Sequence, residues 1–241
     1  MDKIRVVLVN PKYSQNVGMV ARAMKNFGFS DLRLVNPRCE LDEDAYARAV
    51  VRAWDILASS RTHQRFEEAI KGCGLVIGTS RRMSARKKNI IGPKEMVELL
   101  KQALPANKVA LVFGSEDLGL SNQEVKHCQW IVGIHPGTEF ESLNLSHAVA
   151  IILYEIVFAI GSPVESRKKL ADTLELERMY AHLEDVLTEI GFIEEGDPRR
   201  MMLSFRSLFN RAMLTPREVK MVRGMLRQVR WRIERAKKLK V

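Results

Sequence analysis

Apolar and polar positions in residues 1–160 follow two alternating periodicities. Short, mainly apolar runs predict buried strands, and longer segments with apolar residues three or four positions apart predict helices. The predicted strands are Ile4–Val9, Leu32–Val35, Leu75–Gly78, Val109–Phe113 and Ile131–Ile134. The predicted helices are Val17–Phe27, Asp44–Leu57, Phe66–Lys71, Lys94–Leu104 and Asn144–Ile160. Buried strands separated by helices are typical of an α/β fold, in which a parallel sheet carries helices on both faces.

The pattern changes after residues 161–163, Gly-Ser-Pro, where strand-like runs cease. The three segments predicted beyond this point are helical: Glu165–Ile190, Arg199–Met213 and Pro216–Lys240. We therefore predict two parts, an α/β domain over residues 1–161 and an all-helical C-terminal extension over residues 162–241.

The last predicted helix carries most of the net positive charge of the chain. The chain has a net charge of +10, and residues 211–241 hold 11 Lys and Arg against two Asp and Glu. Thr215 and Glu218 predict a capping box at the start of this helix. Apolar residues then recur at heptad spacing, so one face should pack on another element: Val219, Val222, Leu226, Val229, Ile233 and Ala236. The remaining faces fit either a docked helix with solvated charges or one that also binds RNA phosphates through Arg223, Arg227 and Arg230, and we favour the second.

Several classes of protein are disfavoured. The longest apolar stretch, Ala148–Ile160, is too short to span a bilayer and contains Glu155. The N-terminus lacks the layout of a signal peptide, and the three cysteines form no CxxC pair, so we expect a cytoplasmic protein with free thiols. No P-loop or dinucleotide motif is present, and the five histidines lack metal-ligand spacing, so no metal site is expected.

Candidate chemistry lies where the predicted strands end, because open parallel sheets bind ligands at the carboxyl ends of their strands. Three polar motifs lie there: NVGMVAR over residues 16–22, GSEDLGLS over 114–121 and ESLNLS over 141–146. In the first motif we expect Asn16 to cap a helix, with Arg22 further along it. A helix N-terminus with a nearby cation favours anions.

These three motifs in this order resemble the SPOUT superfamily of RNA methyltransferases, in the TrmH/SpoU branch that methylates ribose 2′-hydroxyls. The resemblance covers residues 4–160, and the helical extension after them is similar to the TrmJ group, which methylates nucleotide 32 of the tRNA anticodon loop. It implies an α/β domain whose C-terminal part forms a trefoil knot, S-adenosyl-L-methionine as methyl donor, a homodimer, and cytidine or uridine in tRNA as substrate.

Site residues follow from the same resemblance, position by position. The donor-binding residues would be Thr79, Ser80, Arg81, Gly114, Ser115, Glu116, Ile134, Gly137, Ser142, Leu143 and Asn144. The catalytic residues would be Arg22, Asn16, Glu116, Ser142 and Asn144. An arginine is always protonated in proteins and is therefore a poor base. We expect Arg22 to hold the adjacent phosphate and to lower the pKa of the ribose hydroxyl electrostatically. Glu116 suits a structural role in its loop as well as an indirect role as proton acceptor.

A second basic cluster follows the strand that ends near Thr79. It contains Arg82, Arg86, Lys87 and Lys88, and it fits a solvated loop or, as we favour, a contact to the RNA backbone. Alternatives at this stage are a methyltransferase that acts on rRNA or on a base, and a non-catalytic RNA-binding protein. DNA is a weaker candidate partner, because the apolar heptad indicates a packed helix and not a free groove-reading one.

Overall fold

The computed structural model describes residues 1–80, 89–134, 143–160, 169–193 and 198–238. Its strands are β1 (Ile4–Val9), β2 (Asp31–Val35), β3 (Arg61–His63), β4 (Leu75–Thr79), β5 (Ile90–Ile91), β6 (Val109–Phe113) and β7 (Trp130–Val132). They form one sheet in the order β3-β2-β1-β6-β4-β7-β5, and every pairing between them is parallel. The five predicted strands are confirmed. The predicted knot includes residues 135–142, which lie outside the described residues. The knot therefore stays a prediction.

Helices of residues 1–160 cover both faces of this sheet, and three more helices follow them. They are α1 (Ser14–Phe27), α2 (Glu43–Ala49), α3 (Trp54–Ala58), α4 (Phe66–Ala69), α5 (Pro93–Ala103), α6 (Asn122–His127), α7 (Leu145–Ala159), α8 (Thr173–Glu189), α9 (Pro198–Ala212) and α10 (Pro216–Lys238). Within these described segments, no helix combines the length and apolar character that a membrane crossing needs.

The central strand β1 shows why its sequence is almost entirely apolar. Alternate side chains of a strand point to opposite faces of a sheet. Val6 and Leu8 enter the core formed with α1, α2, α5 and α7, whereas Val7 and Val9 enter the core formed with α4. Both cores are closed to solvent, and the one charged residue of the strand, Arg5, is buried in an ion pair with Asp31 at 2.9 Å. The predicted α/β class is therefore confirmed.

The helix predicted over Asp44–Leu57 is wrong as a single element. The structure contains α2, a 3₁₀ turn over Val51–Ala53 and then α3. The break lies at Val50, whose φ of 55° is incompatible with a right-handed helix. Val50 and Val51 are both β-branched and exposed, so neither helix propensity nor burial favours continuation through this pair.

The helix predicted over Glu165–Ile190 begins too early. Residues 169–172 are not helical, and α8 starts at Thr173 after a capping box in which Asp172 and Glu175 bond each other's backbone N–H groups. Residues 161–168 lie outside the described residues. The Asp-x-x-Glu signal that sets this boundary was present in the sequence.

Helix α1 lies close to α2 because of Gly18. A Cβ atom at this position would lie 2.0 Å from the backbone oxygen of Ala45, a distance that no side chain allows. Gly18 therefore serves helix packing, which places α1 and the polar residues of its first turn at the carboxyl edge of the sheet.

The C-terminal helices share a third apolar core. The predicted heptad face of α10 packs on α8 as far as Val229, with Val219 and Leu226 buried and Val222 and Val229 partly buried. The predicted face ends there, because Ala236 is exposed. The capping box at the start of α10 is confirmed, since the backbone N–H of Glu218 donates to Thr215 Oγ1 at 3.3 Å and that of Thr215 to the Glu218 carboxylate at 2.6 Å.

This extension docks at the amino ends of the central strands, opposite the predicted ligand edge. Asn107, which precedes β6, accepts a hydrogen bond from the backbone N–H of Leu170 at 2.6 Å. The backbone N–H of Thr173 donates to the carbonyl of Cys73, close to the start of β4. The contact needs Gly74, where a Cβ atom would lie 2.7 Å from Asn107 Oδ1.

An ion-pair cluster joins the extension to α6. Both oxygens of Glu177 accept hydrogen bonds from Arg206, at 2.6 and 2.7 Å, and Oε1 lies 3.1 Å from His127 Nδ1. Burial alone would raise the pKa of Glu177, but the hydrogen bonds from Arg206 and His127 outweigh it and lower this pKa to about 2. The carboxylate therefore stays ionised at neutral pH.

We predict that acid weakens this docking in a defined range. Glu177 has a lower pKa in the folded chain, about 2, than the ordinary value of 4.5. Its stabilising contribution is thus complete above pH 4.5 and is lost as the pH falls toward 2. Urea unfolding at a series of pH values should show a stability gap between the wild type and Glu177→Gln that closes over this range. Glu184→Gln, on the same helix, is the control, and a gap that does not change with pH would contradict the prediction.

Candidate functional site

A cleft lies at the carboxyl edge of the sheet, where β4, β6 and β7 end. It opens to solvent on one side and has a cavity volume of about 150 Å³. Its lining residues are Thr79, Ser80, Phe113, Gly114, Ser115, Glu116, Asp117, Leu118, Gly119, Leu120, Val132, Ile134, Leu143, Leu145 and Ala148. Apolar side chains and polar loop atoms therefore meet at one opening.

The loop after β6 forms one wall of the cleft by folding back on itself. The backbone N–H of Gly119 donates to the carbonyl of Ser115 at 2.9 Å, and Gly119 has a φ of +69°. A Cβ atom on Gly114 would lie 2.1 Å from the backbone of Gly119. Only glycine fits position 114, and this tight turn holds Glu116 at the cleft.

Three hydrogen-bonded side chains connect this loop to the other two motifs. Glu116 Oε1 accepts a hydrogen bond from Asn16 Nδ2 at 2.7 Å, and Oε2 accepts one from the backbone N–H of Lys12 at 2.9 Å. Asn16 Oδ1 accepts in turn from Asn144 Nδ2 at 3.0 Å. Asn16 is buried, so the series is shielded from water at its centre.

The series ends at the start of α7. Asn144 Oδ1 accepts from both the backbone N–H and the hydroxyl of Ser146, at 2.8 and 2.7 Å, which makes Asn144 the N-cap of the helix. The expectation that Asn16 caps α1 is wrong, because α1 begins at Ser14 and its N-cap is Tyr13. The side chain of Asn16 points toward the other motifs instead.

An ion pair fixes the outer side of the same loop. Arg38 donates to both oxygens of Asp117, at 2.6 and 3.2 Å, and Lys12 Nζ lies 3.7 Å from this carboxylate. The hydrogen bonds from Arg38 and Ser115 hold the pKa of Asp117 well below its usual range. Asp117 therefore stays ionised, with its charge compensated by Arg38 and Lys12.

The structure brings together most of the predicted donor-site residues that it describes. Seven of them line the cleft: Thr79, Ser80, Gly114, Ser115, Glu116, Ile134 and Leu143. Asn144 is joined to Glu116 through Asn16. Other predicted site residues lie outside the described residues, namely Arg81, Gly137 and Ser142, and so do the cluster residues Arg82, Arg86, Lys87 and Lys88.

Arg22 lies on the exposed side of α1, further along the helix than Asn16. Among the described residues, no side chain or carbonyl forms a hydrogen bond or ion pair with it. Its guanidinium is therefore available to an anion from outside the chain.

Sequence reasoning missed part of the cleft. Leu120, Leu145 and Ala148 line it with apolar surface, and Asp117 adds charge. Leu120 and Asp117 belong to the GSEDLGLS motif, so their position in this motif was the signal that could have identified them. Leu145 and Ala148 read as ordinary core positions of an apolar helix, and no local pattern distinguished them.

The predicted RNA-binding arginines of α10 differ in their surroundings. Arg223 and Arg227 are exposed. Arg230 is half-buried and lies 3.6 Å from Asp185 and 3.5 Å from Glu189, both of which belong to α8. Arg230 therefore also contributes to holding α10 in place.

Comparison with known proteins places this geometry in a family. The model of the SpoU rRNA methylase family matches residues 3–154, and that of the TrmJ tRNA methyltransferase C-terminal domain matches residues 174–239. The chain belongs to the SpoU methylase family, in its TrmJ group. The match covers both the cleft-bearing domain and the basic extension.

Curated members of the TrmJ group align with nearly the whole chain. The tRNA (cytidine/uridine/adenosine-2′-O-)-methyltransferase TrmJ of Pseudomonas aeruginosa is 41% identical, covering 94% of this chain and 93% of its own length. The tRNA (cytidine/uridine-2′-O-)-methyltransferase TrmJ of Escherichia coli is 40% identical, with 95% and 96% covered. The crystal structure of TrmJ from Z. mobilis superposes with a TM-score of 0.81 at 29% identity, covering 94% of this chain and 98% of that one.

We predict that Glu116→Gln destabilises this SpoU-family site. A carboxylate can accept from both Lys12 and Asn16, whereas an amide turns one oxygen into a donor that faces another donor. Loss of one hydrogen bond to a charged acceptor should lower the free energy of unfolding by about 1–3 kcal/mol, as urea denaturation would measure. Glu98→Gln, which removes an exposed partner of Lys101, is the control and should change it by under about 1 kcal/mol. Equal effects of the two changes would contradict the prediction.

Proposed function

We propose that this chain transfers a methyl group from S-adenosyl-L-methionine to the ribose 2′-hydroxyl of cytidine or uridine 32 in the tRNA anticodon loop. The hydrogen-bonded series of Glu116, Asn16 and Asn144 carries the proposal, because it joins all three sequence motifs beside one cleft. The names of the TrmJ relatives support a tRNA 2′-O-methyltransferase. The TrmJ-type C-terminal domain favours tRNA over rRNA as the substrate.

The cleft suits the donor in shape and in charge. Leu120, Ile134 and Leu145 offer apolar surface for the adenine ring, and loop backbone atoms around Gly114 and Ser115 offer hydrogen bonds. The carboxylates of Glu116 and Asp117 favour a cation nearby. When bound, the donor supplies a methyl group on a positively charged sulfur and requires no covalent intermediate with the protein. The donor-site residues proposed here are therefore the described lining residues together with Arg81, Gly137, Ser142 and Asn144.

Arg22 is proposed to act on the acceptor as a fixed cation. A guanidinium remains protonated, so it cannot serve as the base. Held near the ribose, it would bind the adjacent phosphate and stabilise negative charge that develops on the 2′-oxygen. Asn16 and Asn144 would position the acceptor, together with Ser142. Both oxygens of Glu116 already accept hydrogen bonds, which supports a positioning role for this residue.

The proposal also divides the chain into two functions. Residues 1–161 would hold the donor and perform the transfer, and residues 162–241 would bind RNA through cations such as Arg223 and Arg227, alongside Arg82, Arg86, Lys87 and Lys88. The cysteines are consistent with a cytoplasmic enzyme, since all three thiols are free and burial raises the pKa of Cys73 to about 11.

We further propose that the enzyme is a homodimer that associates through α7. This helix buries one side in the core and exposes an aromatic strip on the other, with Tyr154 and Phe158 stacked at 5.8 Å. Phe158 is 76% exposed, and Val157 lies beside it. Phe27 of α1 extends the strip through an edge contact with Tyr154. A second copy that presents the same strip would cover this apolar surface.

The activity is tested by Arg22→Ala. Purified protein is incubated with labelled S-adenosyl-L-methionine and unmodified tRNA transcripts, and the product is located by nuclease digestion and mass spectrometry. We expect a 2′-O-methyl group at nucleotide 32, formed at least about 100-fold more slowly by the variant because a group that stabilises developing charge is lost. Lys25→Ala, a neighbouring exposed cation on α1, should retain the rate.

Other outcomes of the same assay separate the alternatives. Methylation of rRNA fragments but not of tRNA would retain the chemistry and change the substrate. Binding of the donor without transfer to any RNA, or no binding at all, would overturn the proposed activity in favour of a non-catalytic RNA-binding protein.

The dimer is tested by Phe158→Asp. A charge at the centre of the aromatic strip should convert the dimer to a monomer in light scattering or sedimentation, since an unpaired carboxylate would be buried at the interface. Leu208→Asp, on an exposed apolar position of α9, is the matched control and should leave the mass unchanged. A dimeric Phe158→Asp protein would place the interface elsewhere.

A further inference from the structure

The basic helix α10 exposes a tryptophan on its outward side. Trp231 is the only aromatic residue in residues 211–241, which carry 11 Lys and Arg. It follows the buried Leu226 by five positions, which rotates it about 140° around the helix from the packed face. The indole is 45% exposed and adds nothing to the core that joins α10 to α8.

Arginines surround this indole. The guanidinium carbon of Arg232 lies 5.1 Å from the ring centroid, and that of Arg235 lies 5.4 Å away. Arg227 precedes Trp231 by one turn and is also exposed. An exposed ring among several cations is the combination that binds unpaired nucleotides, because the ring stacks on a base and the cations neutralise the adjoining phosphates.

We propose that Trp231 is a stacking platform for an unpaired base of the substrate RNA. Arg227, Arg232 and Arg235 flank the ring and would contact the phosphates on either side of that base. The inference rests on the proposed function, since it takes RNA as the polyanion that the charge of α10 attracts. It adds a base contact to an extension whose predicted contacts involved phosphates alone.

The location of α10 indicates that stacking on Trp231 contributes to RNA binding and not to the methyl transfer step. The extension docks at the amino ends of the strands, whereas the cleft lies at their carboxyl ends. A base on Trp231 would therefore contact α10 and no described residue that lines the cleft of the same subunit. Its loss should raise KM for RNA and leave kcat unchanged, because the contact is made equally in the ground state and the transition state.

The test compares two exposed tryptophans. Trp54 is 44% exposed on the α/β domain and serves as the matched control for Trp231. Binding of unmodified tRNA should weaken about tenfold in Trp231→Ala and remain unchanged in Trp54→Ala, in keeping with the usual contribution of one stacked base. Trp231→Phe should restore most of the affinity, since a phenyl ring still stacks.

Salt dependence and fluorescence distinguish stacking from charge. Trp231→Ala should leave the slope of log Kd against log salt unchanged, whereas Arg227→Gln should reduce it by about one. Single-stranded oligouridylate should quench the tryptophan fluorescence of the wild type and of Trp54→Phe but not that of Trp231→Phe. Equal tRNA affinity of the two alanine variants overturns the inference. So does a change of oligomeric state in Trp231→Ala, which would place the indole in a contact between proteins.

Methyl transfer is measured on the same samples, so the two proposals fail separately. Transfer to tRNA with a KM for RNA that does not depend on Trp231 removes this inference alone. Binding of RNA that depends on Trp231, without methyl transfer to any RNA, removes the proposed activity and retains the platform. The thermal unfolding midpoint of Trp231→Phe, compared with that of the wild type, shows whether this variant is folded.

Discussion

The buried amide of Asn16 is the constraint on which the rest of the site depends. A carboxylate only accepts hydrogen bonds, so Glu116 requires the Nδ2 group of Asn16 to face it. The Oδ1 atom of Asn16 must then face Asn144, whose own Oδ1 atom is left to accept from Ser146. The carboxylate of Glu116 thus sets the donor and the acceptor of every hydrogen bond in the series. The three sequence motifs are held in one arrangement as a result.

The sheet makes this arrangement attainable. Residues 16, 116 and 144 are separated by 100 and 28 positions, yet β1 and β6 are neighbours and both end at the same edge. Gly114 permits the tight return of the loop after β6, and Gly18 permits the approach of α1 to α2. Asn16 is buried, so breaking either of its hydrogen bonds would leave a polar atom of its amide unpaired away from water, which disfavours alternative conformations.

Elements with a buried face were predictable from sequence, and elements without one were not. The five strands predicted from the sequence are mainly apolar because helices cover both faces of the sheet. The edge strand β3, Arg61-Thr62-His63, is largely exposed and therefore reads as polar loop, and α6 has no buried residue at all. The break at Val50 depends on backbone geometry that no periodicity records.

The residues of the site also differ in whether the sequence predicted them. Its motifs identified Asn16, Glu116 and Asn144, because polar residues after buried strands are conspicuous. The pairing among them was not predictable, since it joins residues far apart in the chain. Leu145 and Ala148 were missed because a residue that lines a cleft and one that lines a core have the same chemistry.

Under the proposed function, the placement of the extension separates the binding of RNA from the transfer of the methyl group. A strand of five residues spans roughly 17 Å, and the extension and the cleft lie at opposite ends of such strands. The apolar face of α10 packs on α8 as far as Val229, and Arg223, Arg227 and Trp231 remain exposed. A long RNA could therefore contact the outward face of α10 while the nucleotide to be methylated reaches the cleft. Interactions made at that distance stabilise the bound and reacting states alike, so they increase affinity for the RNA. Under the proposed function, the residues that would distinguish the transition state are those around Asn16 and Arg22.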